Sequence, residues 1–264
     1  MNVFLRELRA NRKALIIWSI CMFLLVLSGM GKYTAYSSGS VSNDIFDKMP
    51  FSLKALFGMG SFDVSTVSGF FAFLFPYLEI TVAIHAGLLG AGIIAKEELD
   101  KTTEFLMVKP LSRTSVILSK LSAALLNILV VNSVTLISSI LMVSVYSKGE
   151  SVTEEVVLLL VSMLAVQLIF FSVGAFFAAF LRKPKAAGLI TTAILLGGFI
   201  LSKMIAFNEK LNVLNVLSPF QYFSIEDVVY ESALNPVILL LSCLLTLGLL
   251  LSCIYFYRKR DLNI

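Results

Sequence analysis

Charge is what this sequence has least of. Asp, Glu, Lys and Arg make up 14% of its 264 residues and apolar residues 58%, against about 25% and 45–50% in an average soluble chain. A fold that meets water on every side cannot be covered with so few polar side chains, so a large soluble domain is excluded. The mean hydropathy of +0.92 points to lipid as the main solvent. Histidine occurs once, which excludes most histidine-based metal sites. The three cysteines, Cys21, Cys243 and Cys253, lie inside apolar runs and follow neither a disulfide framework nor metal spacing, so they read as small core hydrophobes. There is no phosphate-binding loop: the nearest stretch, Gly29-Met30-Gly31-Lys32-Tyr33, lacks the first glycine and the hydroxyl residue that such a loop needs. No nucleophile elbow, metal cluster or pair of catalytic carboxylates is present, and a net charge of +4 is too small to suggest nucleic acid.

What is present is a series of apolar stretches. A helix needs about 20 residues to cross the hydrocarbon core, and six stretches meet that length, at 14–31, 69–95, 116–146, 156–181, 187–207 and 236–257. The third is long enough to tilt or protrude. The first follows a basic segment as a signal peptide would, but its apolar run is long for one and Ser28-Gly29-Met30 is a poor cleavage site, so it reads as a retained span. Taking the connections alternately, one side holds fifteen of the twenty-one basic residues and the other six. The positive-inside bias places both termini in the cytoplasm, in keeping with an even number of spans.

Three segments outside the spans carry a helical pattern. Val3, Phe4, Leu5, Leu8 and Leu15 among Arg6, Arg9 and Arg12 suggest an interfacial helix before the first span. In the first outer connection Ile45, Phe46, Met49, Leu53, Leu56 and Phe57 recur at three- to four-residue intervals, as in a helix lying on the membrane surface. In the last, 208–235, Pro219-Phe220-Gln221-Tyr222-Phe223 suits the interfacial aromatic belt. Packing over the outer mouth accounts for both outer segments.

The densest charge runs from Lys96 to Arg113: alternating signs, then the apolar knot Phe105-Leu106-Met107-Val108, then Pro110, with Ser112 placed to cap the third span. That pattern fits a short amphipathic helix offered to a soluble partner, and equally one resting on lipid. The stretch Ala95-Lys96-Glu97-Glu98 through Lys101-Thr102-Thr103-Glu104-Phe105-Leu106, with Lys109-Pro110-Leu111-Ser112-Arg113 after it, resembles the signature of ABC-2 type transporter permeases. The terminal Arg258-Lys259-Arg260-Asp261-Leu262 and the outer Leu53-Lys54-Ala55-Leu56-Phe57-Gly58 are also similar to that family, and Lys101-Thr102 departs from it where many members carry Gly-Thr. The resemblance covers essentially the whole chain. It implies an all-α integral membrane protein: six transmembrane helices in one domain over 1–264, an N-terminal interfacial helix, a cytoplasmic coupling helix, and re-entrant outer helices between spans five and six. It also implies an export permease in a bacterial plasma membrane, paired with a second permease subunit and two ABC ATPase subunits, with ATP and Mg held by the ATPase and no cofactor on this chain. Residue by residue, Glu97, Glu98, Thr103, Glu104, Phe105 and Leu106 carry the coupling helix, and Pro110, Ser112 and Arg113 its junction with span three. The absence of long hydrophilic stretches through the spans fits an amphipathic or hydrophobic cargo: an antimicrobial or cytolytic peptide or a drug first, a lipid-linked molecule second.

Two ionisable residues lie inside span two, Glu79 and His85. Such groups cost about 2.5–3.5 kcal/mol at a bilayer centre and mark a pathway or a structural partner. Their six-residue spacing separates them around the helix, and Pro76 should break the helix near Glu79. Ala83, Gly87, Ala91 and Ala95 form a small-residue stripe for close helix packing within the bundle or between subunits. Asn127, Asn132 and Gln167 are expected as interhelical hydrogen-bond partners, and Gly197-Gly198 leaves room for a bend. An ion-coupled secondary transporter would call for more intramembrane carboxylates than Glu79 and an internal repeat. A peptide-binding immunity or scaffold protein without transport is the other alternative.

Overall fold

The computed structural model describes residues 3–37, 50, 62–102, 112–147, 152–231 and 233–259. The described elements are α1 (Val3–Met30), α2 (Tyr33–Ser37), α3 (Val67–Leu99), α4 (Arg113–Tyr146), α5 (Thr153–Phe180), α6 (Pro184–Phe207), 3-10 segments at Glu209–Leu217 and Pro219–Gln221, α7 (Ile225–Glu231) and α8 (Pro236–Lys259). No strand occurs among the described residues. Six of these helices are long and apolar enough to cross a membrane, which is the form lipid demands, since a helix satisfies its backbone donors and acceptors within itself. The amphipathic pattern between Ile45 and Phe57 and residues 103–111 lie outside the described residues.

The N-terminal segment is not a separate interfacial helix. With neither glycine nor proline between Val3 and Ser28, nothing interrupts the backbone ladder, and the basic residues extend α1 as its first turns. Pro76 likewise does not break α3, which runs on to Leu99, and α6 passes through Gly197-Gly198 as one helix. At the start of α3 the turn is closed by side chains. Thr66 caps the helix by accepting from the Gly69 amide at 3.1 Å, and the Asp63 carboxylate accepts from the Ser65 hydroxyl at 2.6 Å and its amide at 2.9 Å. Those two bonds from Ser65 hold the Asp63 carboxyl below the usual carboxylate range. Gly69 is required there, because a Cβ would fall 2.2 Å from the Asp63 carbonyl oxygen.

The bundle is built around α3 and α5. A Cβ on Gly90 would lie 2.2 Å from the Phe171 carbonyl oxygen, and one on Gly174 would lie 2.2 Å from that of Gly87. Only hydrogen fits in either place, and the stripe residues Ala83, Gly87, Ala91 and Ala95 are all buried within the chain. Helix α8 joins this pair through Cys253, whose thiol donates to the Ala175 carbonyl at 3.2 Å. Cys253 is buried, as expected of a core hydrophobe, whereas Cys21 and Cys243 are exposed on α1 and α8, where the surrounding surface is apolar. Asn132 Nδ2 donates to Gln167 Oε1 at 3.3 Å and ties α4 to α5. Asn127 does not cross helices: its amide donates to the Ala123 carbonyl one turn back, at 2.7 Å. The outward apolar faces are long, with Leu240, Leu241, Leu244, Leu247 and Leu251 exposed along α8.

Candidate functional site

Two polar regions occupy opposite poles of this bundle. The first lies where α1 begins, α3 ends and α4 begins. Glu7 and Lys120 are fully buried and Glu97 is 7% exposed. Arg6 Nη2 donates to Glu7 Oε1 at 2.6 Å and to Glu97 Oε1 at 2.8 Å. Lys120 Nζ donates to the other oxygen of Glu97 and, at 2.7 Å, to the Ile93 carbonyl. Lys96 Nζ stands 3.6 Å from Glu7 Oε2. Three cations and two carboxylates therefore bind three helices into one block. An isolated buried charge would be very costly, and here each is offset by a partner or a backbone carbonyl.

The segment that joins α3 to α4 leaves from this block. Helix α3 closes with an ordinary helical bond from the Asp100 amide to the Lys96 carbonyl at 2.8 Å, and the Thr102 amide then reaches back to the Glu97 carbonyl at 2.8 Å, the six-to-one bond of a Schellman turn. Lys101 stands between them with φ 55°, in the left-handed region. On the far side Ser112 caps α4, its hydroxyl accepting from the Ser115 amide at 3.1 Å, and Arg113 Nη1 donates to the Arg258 carbonyl at 3.2 Å near the end of α8. The residues flanking that segment are thus held on both sides: one by the ion network, the other by a cap and a bond to the last helix.

A match to a family model described as ABC-2 family transporter protein extends over residues 1–262. The chain belongs to this family. No curated protein matches it. Membership makes this ABC-2 chain a multi-pass, all-α integral membrane protein and a permease subunit of an ABC transporter, a class that works with an ABC ATPase.

Within that frame the residues singled out from sequence separate. Glu97 points inward to Arg6 and Lys120, and Glu98 beside it is half-buried. Ser112 and Arg113 hold the start of α4. Thr103, Glu104, Phe105, Leu106 and Pro110 lie outside the described residues. His85 packs its ring against Trp18 of α1, with centroids 5.0 Å apart, while Glu79 opens into a cavity at the other pole. The two do not meet, as their spacing around the helix requires.

That second region has a volume of about 320 Å³ and lies among the N-terminal half of α3, the C-terminal half of α6 and the segment after it. The segment folds back along α6: the Ser218 hydroxyl donates to the Gly198 carbonyl at 2.9 Å and Gln221 Nε2 to that of Ser202 at 2.8 Å. Phe220 meets both Phe170 and Phe199 with centroids 5.1 and 5.5 Å away. Tyr222 donates to the Val216 carbonyl at 2.7 Å, and its burial pushes the phenol's pKa up. Glu79 and Lys203 both line the cavity and act on each other electrostatically. Sequence reasoning singled out Glu79 and passed over Lys203, and at the other pole it passed over Arg6, Glu7, Lys96 and Lys120 as members of one site. The signal for Lys120 and Lys203 was available: each is a cation within a membrane-length helix, and such a residue needs a partner.

Proposed function

We infer that this chain is one of two permease subunits of an exporter, and that segment 97–113 is where a separate ATPase pushes on it. The observation that supports this most is the buried ion network of Arg6, Glu7, Lys96, Glu97 and Lys120 at the foot of that segment. A coupling element transmits force only if its base does not yield. Tied through charge-assisted bonds to α1 and α4, the end of α3 moves with both as a rigid body. Phe105 and Leu106 then supply an apolar anchor for a pocket on the ATPase, with charges around it.

The excess of basic residues on this side supports a cytoplasmic location for the network and both termini, in a bacterial plasma membrane. The whole chain acts as one transmembrane domain. ATP and Mg belong to the ATPase, two copies of which serve two permeases, either identical or paralogous. The folding back of residues 209–231 along α6 supports a re-entrant arrangement on the outer side, capping the path. The cargo is an amphipathic or hydrophobic molecule, a cytolytic peptide or drug before a lipid-linked one. Co-purification with an ATPase encoded nearby tests the reading. The wild type should hold the ATPase and stimulate its turnover, and Phe105→Ala should release it or uncouple it. An ATPase bound and stimulated equally by Phe105→Ala refutes it, and its absence altogether would favour an ion-coupled transporter or a scaffold.

A further inference from the structure

The cavity at the Glu79 pole continues into the lipid-facing surface. Beside it lies an open apolar groove of about 560 Å³, lined by Ile200, Met204, Phe207 and Leu211, and Phe199 and Lys203 line both spaces. Lys203 is therefore the hinge between a polar chamber and a greasy channel, its ammonium 5.3 Å from the Phe199 ring centroid. It lies four residues before the end of α6 at Phe207, about 6 Å along the axis, which is headgroup depth for a lipid lying along that helix.

Two acceptors in the chamber make no hydrogen bond to the described residues. Glu79 makes no hydrogen bond among the described residues, and Asn215 Oδ1, which also lines the cavity, is buried with no partner. Each such acceptor calls for a donor from a ligand. A primary ammonium supplies three, whereas a trimethylated one supplies none. Lys203 calls for an anion at the mouth. An anion, a short spacer and a primary ammonium, carried on apolar chains, meet all three demands at once.

We propose that this cavity and groove bind a zwitterionic phospholipid with a primary ammonium headgroup, its phosphate at Lys203, its ammonium between Glu79 and Asn215, and its chains along α6. The claim concerns binding and stands whether or not the lipid is exported.

The test uses the full-length purified chain without any ATPase, so its outcome is separate from that of the coupling experiment. Short-chain phosphatidylethanolamine, phosphatidylcholine and phosphatidylglycerol with the same chains are titrated in detergent, and bound lipid is counted by native mass spectrometry. The wild type should retain phosphatidylethanolamine about tenfold better than the other two, the worth of one charged hydrogen bond. Lys203→Gln and Glu79→Gln should each abolish that preference, and Lys203→Arg should keep it. Equal retention of all three lipids by the wild type overturns the proposal, as does an undiminished preference in Lys203→Gln. Should a variant fold poorly, the wild type's discrimination between the ethanolamine and choline lipids decides alone.

Discussion

The two polar poles of this transporter chain solve the same problem in opposite ways. At one, five charged side chains from three helices close on each other, and Glu7 and Lys120 are shut off from solvent altogether. At the other, a carboxylate and an ammonium line an open chamber with an orphaned amide oxygen beside them. A buried charge is tolerable in either setting only if something answers it. At the first pole the chain supplies the answer itself, which makes a rigid joint. At the second it leaves the answer to a molecule from outside, which makes a site. The closed pole keeps one orphan of its own, Glu7 Oε2, which makes no hydrogen bond and has Lys96 Nζ 3.6 Å away, so what separates a joint from a site is whether opposite charges close on each other.

The sharpest way to break that contrast is to remove a lysine from each pole. Lys120→Met leaves Glu97 and the Ile93 carbonyl without their shared donor in a dry place, and should cost about 3–5 kcal/mol. Lys203→Met removes a cation that bonds to no carbonyl and faces open space, and should cost under about 1 kcal/mol. Thermal unfolding in detergent, followed by the fluorescence of the single tryptophan, compares the two directly. Adding Glu97→Gln to Lys120→Met should return about 0.5–3 kcal/mol, the coupling expected of groups in one network. Equal losses at the two poles would erase the distinction.

Glu79 probes the same contrast by activity. Glu79→Gln keeps the size of the side chain, removes its charge and replaces one acceptor oxygen with an NH2 donor. If the chamber is a place of passage, export should fall about tenfold, the worth of one charged hydrogen bond, while the unfolding temperature moves by only a few degrees. Transport by reconstituted vesicles measured beside thermal unfolding separates the two. A loss of export that tracks a loss of folding would make Glu79 structural and leave the chamber without a role.

How much of this was legible beforehand depended on the range of the interaction. The spans followed from local composition, because lipid demands long apolar helices whatever they pack against. The cap at Ser112 followed from one residue and its neighbours. The ion network did not, because Arg6, Glu97 and Lys120 are brought together by the crossing of three helices, and no spacing along the chain encodes that. Asn127 failed for a related reason: an amide within a helix has a carbonyl of its own turn in reach, and only tertiary placement decides whether it turns outward or back. Lys203 looked like one of six outer basic residues when charges were merely counted, and its position inside α6 becomes telling only once the folded-back segment shows what it faces.

The smallest expected effect comes from a place where the chain departs from the pattern of the permeases it resembles. Lys101 stands where many ABC-2 permeases carry glycine, and it holds φ 55° in the turn that ends α3. A side chain in that region is strained by about 1 kcal/mol because its Cβ crowds the neighbouring carbonyl, whereas glycine has none. Lys101→Gly should therefore raise the unfolding free energy by up to about 1 kcal/mol, offset in part by the extra freedom glycine gives the unfolded chain. The same substitution removes a cation next to the joint without touching any of its bonds. If coupling depends on rigidity at the end of α3, ATPase stimulation should be unchanged or slightly higher. A fall in stimulation with stability preserved would show that the Lys101 charge itself meets the ATPase, and would extend the docking surface to the end of α3.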